Sequence, residues 1–423
     1  MEDNIKYYIL LMSSTYEVFK MIHFSEAYNI VMSFVRSTGH KQLDISDSLN
    51  RILAQDVISD LDMPPFDKSA MDGYACRAED LENELNIIEI IQAGYLPTKK
   101  IESLQCSKIM TGAMLPKGAN CVIVMEETEE LSGNKVKFTG TLEKDNEGNF
   151  KYFQKRRGNI CYEAEDIKCG EIVLSKGELI KPQHIAVLAS VGCANPCVGI
   201  KPKVGIIATG SELVEPYDKV EGPNIRNSNS YQLSAQAERM GISCTYYGIA
   251  EDTETAIGLC VQKAITENDV ILVSGGVSMG DYDFVPAVLK NNGIKIMFDQ
   301  VAIQPGKPTT FGVSDDVICF GMPGNPVSTF VQFEIIVKPF LYKMMGYDFK
   351  PNCFLLELGK TIKRKRTTRE ALIPMYIKDG KAFQVEYHGS AHIHAMCAAE
   401  YLVSLPIGVS EIEKGTVVDV RQI

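Results

Sequence analysis

The chain has no tryptophan and only six histidines. The first absence excludes no fold. No serine–histidine or cysteine–histidine nucleophile is evident. A membrane span needs roughly 20 apolar residues in a row. The apolar run near the start, Tyr7 to Met12, is far shorter, and it lacks the basic start and small-residue cleavage site of a secretion signal. Metal-type cysteine spacing is also missing. Twelve cysteines are scattered, and the closest pair is Cys193 and Cys197, a C-x3-C arrangement. Disulfide frameworks belong to small secreted chains, so these read as reduced and mostly buried thiols. Positive charge is in short supply: 43 Lys and Arg against 54 Asp and Glu give a net charge of −11. That argues against general nucleic-acid binding, fits a cytoplasmic protein, and means an anionic ligand needs a locally positive pocket. There are no sequence repeats and no low-complexity segments.

What is present is globular. With 423 residues and 45% apolar content, the chain has the length of about three domains and can bury large cores. Residues 1–20 read as an extension; helical spacing starts after Met21 with Ala27, Ile30, Val31, Phe34 and Val35. A strand-like return follows from Leu43 to Val57, and Met63-Pro64-Pro65 breaks it. Residues 67–142 alternate short β runs (Ile87–Ile91, Cys121–Met125, Lys135–Thr139) with turns, and residues 143–200 are mixed. From Lys203 strands and helices alternate strictly: strands at 204–208, 244–249, 270–274, 294–298 and 317–320, helices at 231–240, 255–265, 285–292 and 327–344. That pattern predicts parallel βαβ units and a doubly wound α/β domain. After Pro351 the helical period disappears, and β runs with turns such as Lys378-Asp379-Gly380-Lys381 predict a small β-barrel or sandwich.

Three strand ends in the α/β region carry glycine-rich loops. They are Thr209-Gly210-Ser211-Glu212, Ser274-Gly275-Gly276-Val277-Ser278 and Met322-Pro323-Gly324-Asn325-Pro326. Ligands of doubly wound sheets bind at carboxyl ends of strands. Glycines let backbone approach a phosphate, and Pro326 suits a first helical position, so the last loop should feed free N–H groups into a crevice. Glu212, Asp252 and Asp283 flank these loops. Beside phosphates such carboxylates call for a divalent cation such as Mg²⁺; Asp252 and Asp283 read equally as helix N-caps. Lys307, fixed in Gln304-Pro305-Gly306-Lys307-Pro308, is either a pre-oriented charge for an oxyanion or a solvated turn residue. His388, His392 and His394 come close together, with His392 and His394 on one strand face, but without the spacing of a zinc site. The run Lys363–Arg366, with Arg369 after it, reads as a solvated face that adds positive field.

At these residues the chain resembles the MoeA family, the molybdopterin molybdenumtransferases, related to the E domain of gephyrin. The matching blocks are PPFDKSAMDGYA (64–75), IMTGAMLPKGA (109–119), TGSEL (209–213), SGGVSMGDYDF (274–284), QPGKPTTFG (304–312) and GMPGNPVS (321–328). The resemblance implies four parts: a discontinuous linker domain (21–66 and 143–200), an inserted β-rich domain (67–142), an α/β molybdopterin-binding domain (201–346) and a C-terminal β domain (347–423). It implies a late step of molybdenum cofactor biosynthesis: insertion of molybdate into adenylylated molybdopterin, with Mg²⁺ and release of AMP. It also implies a homodimer whose active site is shared between subunits, and a molybdopterin adenylyltransferase as a partner. Functional positions of the family fall on Asp72, Thr111, Asp166, Glu212, Asp252, Asp283, Pro323 and Pro326, with Arg369 and Ser390 near the molybdate. Glu212, Asp252 and Asp283 would hold Mg²⁺, and Lys307 would attract molybdate. Thr209, Gly210, Ser211, Ser274, Gly275, Gly276, Ser278, Gly324 and Asn325 would contact the pterin and its phosphates. Asp72 and Thr111 would come from the partner subunit. Many members carry lysine where this chain has Gln300 and Gln304, which puts oxyanion affinity in question. Other readings are a molybdopterin adenylyltransferase, which leaves residues 21–200 and 350–423 unexplained, and a gephyrin-like scaffold, which needs a fused domain absent here.

Overall fold

The computed structural model describes residues 21–141, 157–277 and 283–423. The expected extension at 1–20 and Ser278 lie outside the described residues. The chain forms two compact units. One consists of Gln42–Leu49 and Gln55–Pro196, the other of residues up to Lys41, Asn50–Ala54 and Cys197–Ile423.

The first unit is centred on a six-stranded sheet made of β1 (Gly73–Cys76), β2 (Glu84–Ile91), β3 (Gln105–Ile109), β4 (Cys121–Val124), β5 (Thr128–Leu131) and β6 (Lys135–Phe138). The order is β4-β1-β3-β2-β6-β5, antiparallel except for the β2–β3 pair. The polar-looking stretch around Asp72 runs directly into β1. Every residue of that strand is buried because both faces of the sheet are covered there: Tyr74 and Cys76 pack into one apolar cluster and Ala75 into another. Cys76 lies in register with Cys106 on one neighbour and Cys121 on the other, all fully buried.

The α/β part of the second unit contains β7 (Val204–Thr209), β8 (Cys244–Ala250), β9 (Val270–Ser274), β10 (Lys295–Gln300), β11 (Pro308–Val313) and β12 (Ile318–Met322). Its helices are α1 (Asn229–Glu238), α2 (Glu254–Glu267), α3 (Val285–Asn291), α4 (Pro326–Gln332) and α5 (Lys338–Met344). The sheet order is β8-β7-β9-β12-β11-β10. The four strands β8, β7, β9 and β12 run parallel, and β7, β9 and β12 are buried at every residue, as strands covered on both faces must be. One face carries Ile207, Val261, Ile271, Val273 and Leu289. The aromatic group Phe298, Phe311, Phe320 and Phe340 is also buried, with Phe311 and Phe320 centroids 5.1 Å apart. β11 is a strand the sequence pattern does not show. It runs antiparallel to β12 and β10, so the sheet is doubly wound with a mixed edge. The long last helix is interrupted: α4 passes through a π-helical turn at Phe333–Val337 into α5. Pro339 has no N–H to give the carbonyl four residues back, and the wider turn precedes it.

The C-terminal part is a second sheet, with β13 (Cys353–Glu357), β14 (Glu370–Lys378), β15 (Lys381–Gln384), β16 (Tyr401–Leu405) and β17 (Val417–Gln422). A short strand, Ile303–Gln304, pairs with β14 and continues through β16 and β17 to β13, while β15 also pairs β14. The histidine stretch is not a strand. Ile393–Ala398 is a 3₁₀ helix, and the rings of His388, His392 and His394 stack with centroid separations of 5.1 and 6.4 Å.

Candidate active site at the strand ends

The parallel strands β7, β8, β9 and β12 end on the same side of the sheet, so their following loops converge. A cavity of about 960 Å³ lies there. Thr209 ends β7, with Gly210 and Glu212 after it; Asp252 follows β8; Ser274 ends β9, with Gly275, Gly276 and Asp283 after it. Pro323, Gly324, Asn325 and Pro326 follow β12. Gln304 and Lys307 enter before β11, and Arg369 and Ser390 come from the C-terminal sheet.

Local chemistry sets each loop. Gly275 and Gly276 have φ of +99° and +62°. A Cβ on Gly275 would sit 2.3 Å from the Thr209 carbonyl oxygen, and one on Gly276 would sit 2.9 Å from Thr209 Oγ1. Only glycine lets the β9 loop cross the end of β7 this closely. In the loop after β12, the Thr329 hydroxyl donates to the carbonyl of Pro323, and its N–H donates to that of Asn325 at 3.1 Å. Pro326 takes the first helical position behind Asn325. The N–H of Val327, in the same first turn, is not free: it donates to the Ser390 carbonyl at 3.0 Å. That bond fastens the C-terminal segment to the loop.

The acidic residues have mixed surroundings. Asp252 does not cap α2; Thr253 does, accepting the Ala256 N–H at 3.2 Å. Instead, Asp252 Oδ2 accepts the Ser211 N–H at 2.9 Å, and its own N–H donates to Ser211 Oγ at 3.3 Å. Ser211 thus orients a carboxylate and is not itself a lining residue. Phe284 occupies the N-cap position of α3, so Asp283 is not its cap. No three His, Cys, Asp or Glu side chains among the described residues form a group able to hold a metal ion alone. Glu212, Asp252 and Asp283 share a cavity but do not close around an ion. This fits Mg²⁺, which takes one or two carboxylates and completes its shell with phosphate oxygens and water.

Among the described residues, Lys307 has no carboxylate within ion-pair distance. Arg369 donates to the Ile303 carbonyl at 3.3 Å. Burial, and then the neighbouring Arg366, draw its guanidinium pKa below the ordinary value; at neutral pH it stays charged. Gln304 is exposed in the lining, and Gln300 is buried outside it.

Asp72 and Thr111 belong to the other unit. Asp72 Oδ1 accepts the backbone N–H of Thr111 at 2.7 Å and its hydroxyl at 2.9 Å. These two bonds, the backbone one foremost, hold the Asp72 carboxyl below the usual carboxylate range. Asp166 donates its N–H to the Met63 carbonyl at 2.9 Å.

Three lining residues escape a reading of sequence alone. Arg226 adds a cation. Tyr387 adds a phenol that burial pushes up to about 12. Asn229, the first residue of α1, donates through Nδ2 to Ser274 Oγ and to the Gly324 carbonyl, each at 2.8 Å. Its only sequence signal is the run Asn227-Ser228-Asn229-Ser230, which reads as an ordinary helix start.

Comparison with known proteins matches this architecture. Residues 22–192 match the family described as "MoeA N-terminal region (domain I and II)" and residues 205–343 the one described as "Probable molybdopterin binding domain". The molybdopterin molybdenumtransferase of Staphylococcus epidermidis is 34% identical, covering 94% of this chain and 95% of its own. That of Bacillus subtilis is 33% identical, covering 93% and 92%. A crystal structure of the molybdopterin biosynthesis moeA protein from Pyrococcus horikoshii superposes with a TM-score of 0.79 at 30% identity, covering 96% of this chain and all of that one. With relatives this similar over nearly its whole length, and with the family's paired regions in order, the chain belongs to the MoeA family.

Proposed function

We propose that this chain inserts molybdate into adenylylated molybdopterin, releasing AMP and molybdenum cofactor. The observation that carries the reading is one cavity whose lining combines glycine loops after β7, β9 and β12, carboxylates after β7, β8 and β9, and the cations Lys307 and Arg369. A ligand that satisfies all three has phosphates, a need for a divalent ion, and a separate oxyanion to bind. Relatives carrying the transferase name over more than nine-tenths of the chain support the same reaction class.

The residues divide the work. Ser274, Gly275 and Gly276 receive the terminal phosphate of the pterin, with Thr209, Gly210, Gly324 and Asn325 shaping the walls around it. Glu212, Asp252 and Asp283 would hold Mg²⁺ against the pyrophosphate, where the ion offsets charge building on the departing AMP. Ser211 keeps Asp252 turned inward. Lys307 and Arg369, with Ser390 beside them, attract and orient molybdate. Pro323 and Pro326 keep the loop after β12 rigid, so the site is set before ligand arrives. A second copy of the chain supplies Asp72 and Thr111, already bonded to each other, to orient the ligand. The substrate comes from a molybdopterin adenylyltransferase.

The test uses purified protein with adenylylated molybdopterin, molybdate and Mg²⁺ under anaerobic conditions. AMP should appear in step with cofactor able to activate a molybdenum-free apoenzyme. Absence of both from the complete mixture overturns the reading.

A further inference from the structure

We infer that Asn229 is a positioning residue that turns the Ser274 hydroxyl proton toward a phosphate monoester in the cavity. The inference rests on the proposed function and adds a residue to its phosphate end.

The orientation of the amide follows from its partners. Asn229 Nδ2 lies 2.8 Å from the Gly324 carbonyl oxygen. A carbonyl only accepts, so the –NH₂ side must face it, and the flipped amide would set two acceptors against each other. The same –NH₂ lies 2.8 Å from Ser274 Oγ, so the hydroxyl oxygen is the acceptor there. A hydroxyl has one proton to give. Among the described residues Ser274 donates that proton to nothing. Ser274 ends β9, is 3% exposed, and contributes to the cavity lining. Its proton therefore has one productive direction, toward an acceptor in the cavity, and the glycines that follow leave room for an anion's oxygen. Asn229 is 8% exposed and cannot relax into solvent.

The same amide ties the loop after β9 to the loop after β12, so a purely structural role is the rival explanation. The two roles separate in binding measurements on the full chain. Molybdopterin, which carries the terminal phosphate, and its phosphatase-treated counterpart are titrated into wild type, Asn229→Ala, Ser274→Ala and the double variant. Ser274→Ala should weaken molybdopterin about tenfold, the share of one hydrogen bond to a charged group, and leave the dephosphorylated ligand unaffected. Asn229→Ala should weaken molybdopterin severalfold with the same phosphate dependence. In the double variant the loss should equal that of Ser274→Ala alone. A loss multiplying across the two sites, or one shared by both ligands, overturns the proposal in favour of loop tying. Should Asn229→Ala fail to fold, Ser274→Ala still decides: equal affinity of wild type and Ser274→Ala for molybdopterin removes the hydroxyl from the contact and the inference with it. Wild type that binds neither ligand instead removes the functional reading on which the inference stands.

Discussion

Glu212, Asp252 and Asp283 reach one cavity from the loops after three neighbouring strands, and Asp252 is held there by Ser211 rather than by capping a helix. If they carry the metal, Asp283→Asn should keep the fold and assembly state of wild type while AMP release falls by more than a hundredfold. Gel filtration and an AMP assay read the two arms, and normal turnover refutes the metal assignment. Gln304 faces the cavity where Lys307 is already present, so Gln304→Lys should tighten molybdate about tenfold by calorimetric titration. Unchanged affinity counts against anion capture at that edge. The clustering of acid, glycine and lysine at strand ends was legible in the sequence, but Asp252 and Asp283 read there equally as helix caps, a role the structure gives to Thr253 and to the Phe284 position instead. Asn229 was not legible, because its partners are 45 and 95 residues away.

The glycine loops act as elements rather than as single residues. Gly275→Ala brings a Cβ within 2.3 Å of the Thr209 carbonyl oxygen at a φ of +99°, so the loop must move away from β7. A stability loss of about 2 kcal/mol in urea titration is expected, together with loss of pterin binding. Wild-type affinity in that variant would show that close approach of the two loops is not required. The parallel strands were readable from their continuous apolar runs. β11 was not, since Pro308 and the residues before it signal a turn, whereas the proline opens an antiparallel strand. The π turn before Pro339 was equally hidden, because periodicity reports apolar spacing and not hydrogen-bond step.

At the scale of the chain, one buried charge cluster and the buried thiols make stability sensitive to substitution and to pH. The Glu334 side chain is 1% exposed and accepts from Arg239 at 2.6 Å and from Lys338 and Gln236 at 2.8 Å each. Its backbone carbonyl accepts from Arg421 of β17 at 3.0 Å, joining the helix to the C-terminal sheet. Glu334→Ala strands Lys338 without its partner and should cost about 3–5 kcal/mol, measured by denaturant unfolding. All twelve cysteines are free, but only five are buried and three are exposed, fewer hidden than composition suggests. Burial pushes the Cys319 thiol up from 9.0 to about 12. The unfolded thiol ionises first, so the stability tied to this group is fully present below pH 9 and is lost as pH rises toward 12. The thermal midpoint should fall across that interval, and a midpoint unaffected by alkali would contradict it. The bond from Val327 to Ser390 has its own consequence. A chain cut after Pro351 would strip an acceptor from the first turn of α4 and remove Arg369 in the same stroke. Such a truncation should therefore forfeit its hold on molybdate more completely than any single cation deletion, even with β7, β9 and β12 still paired.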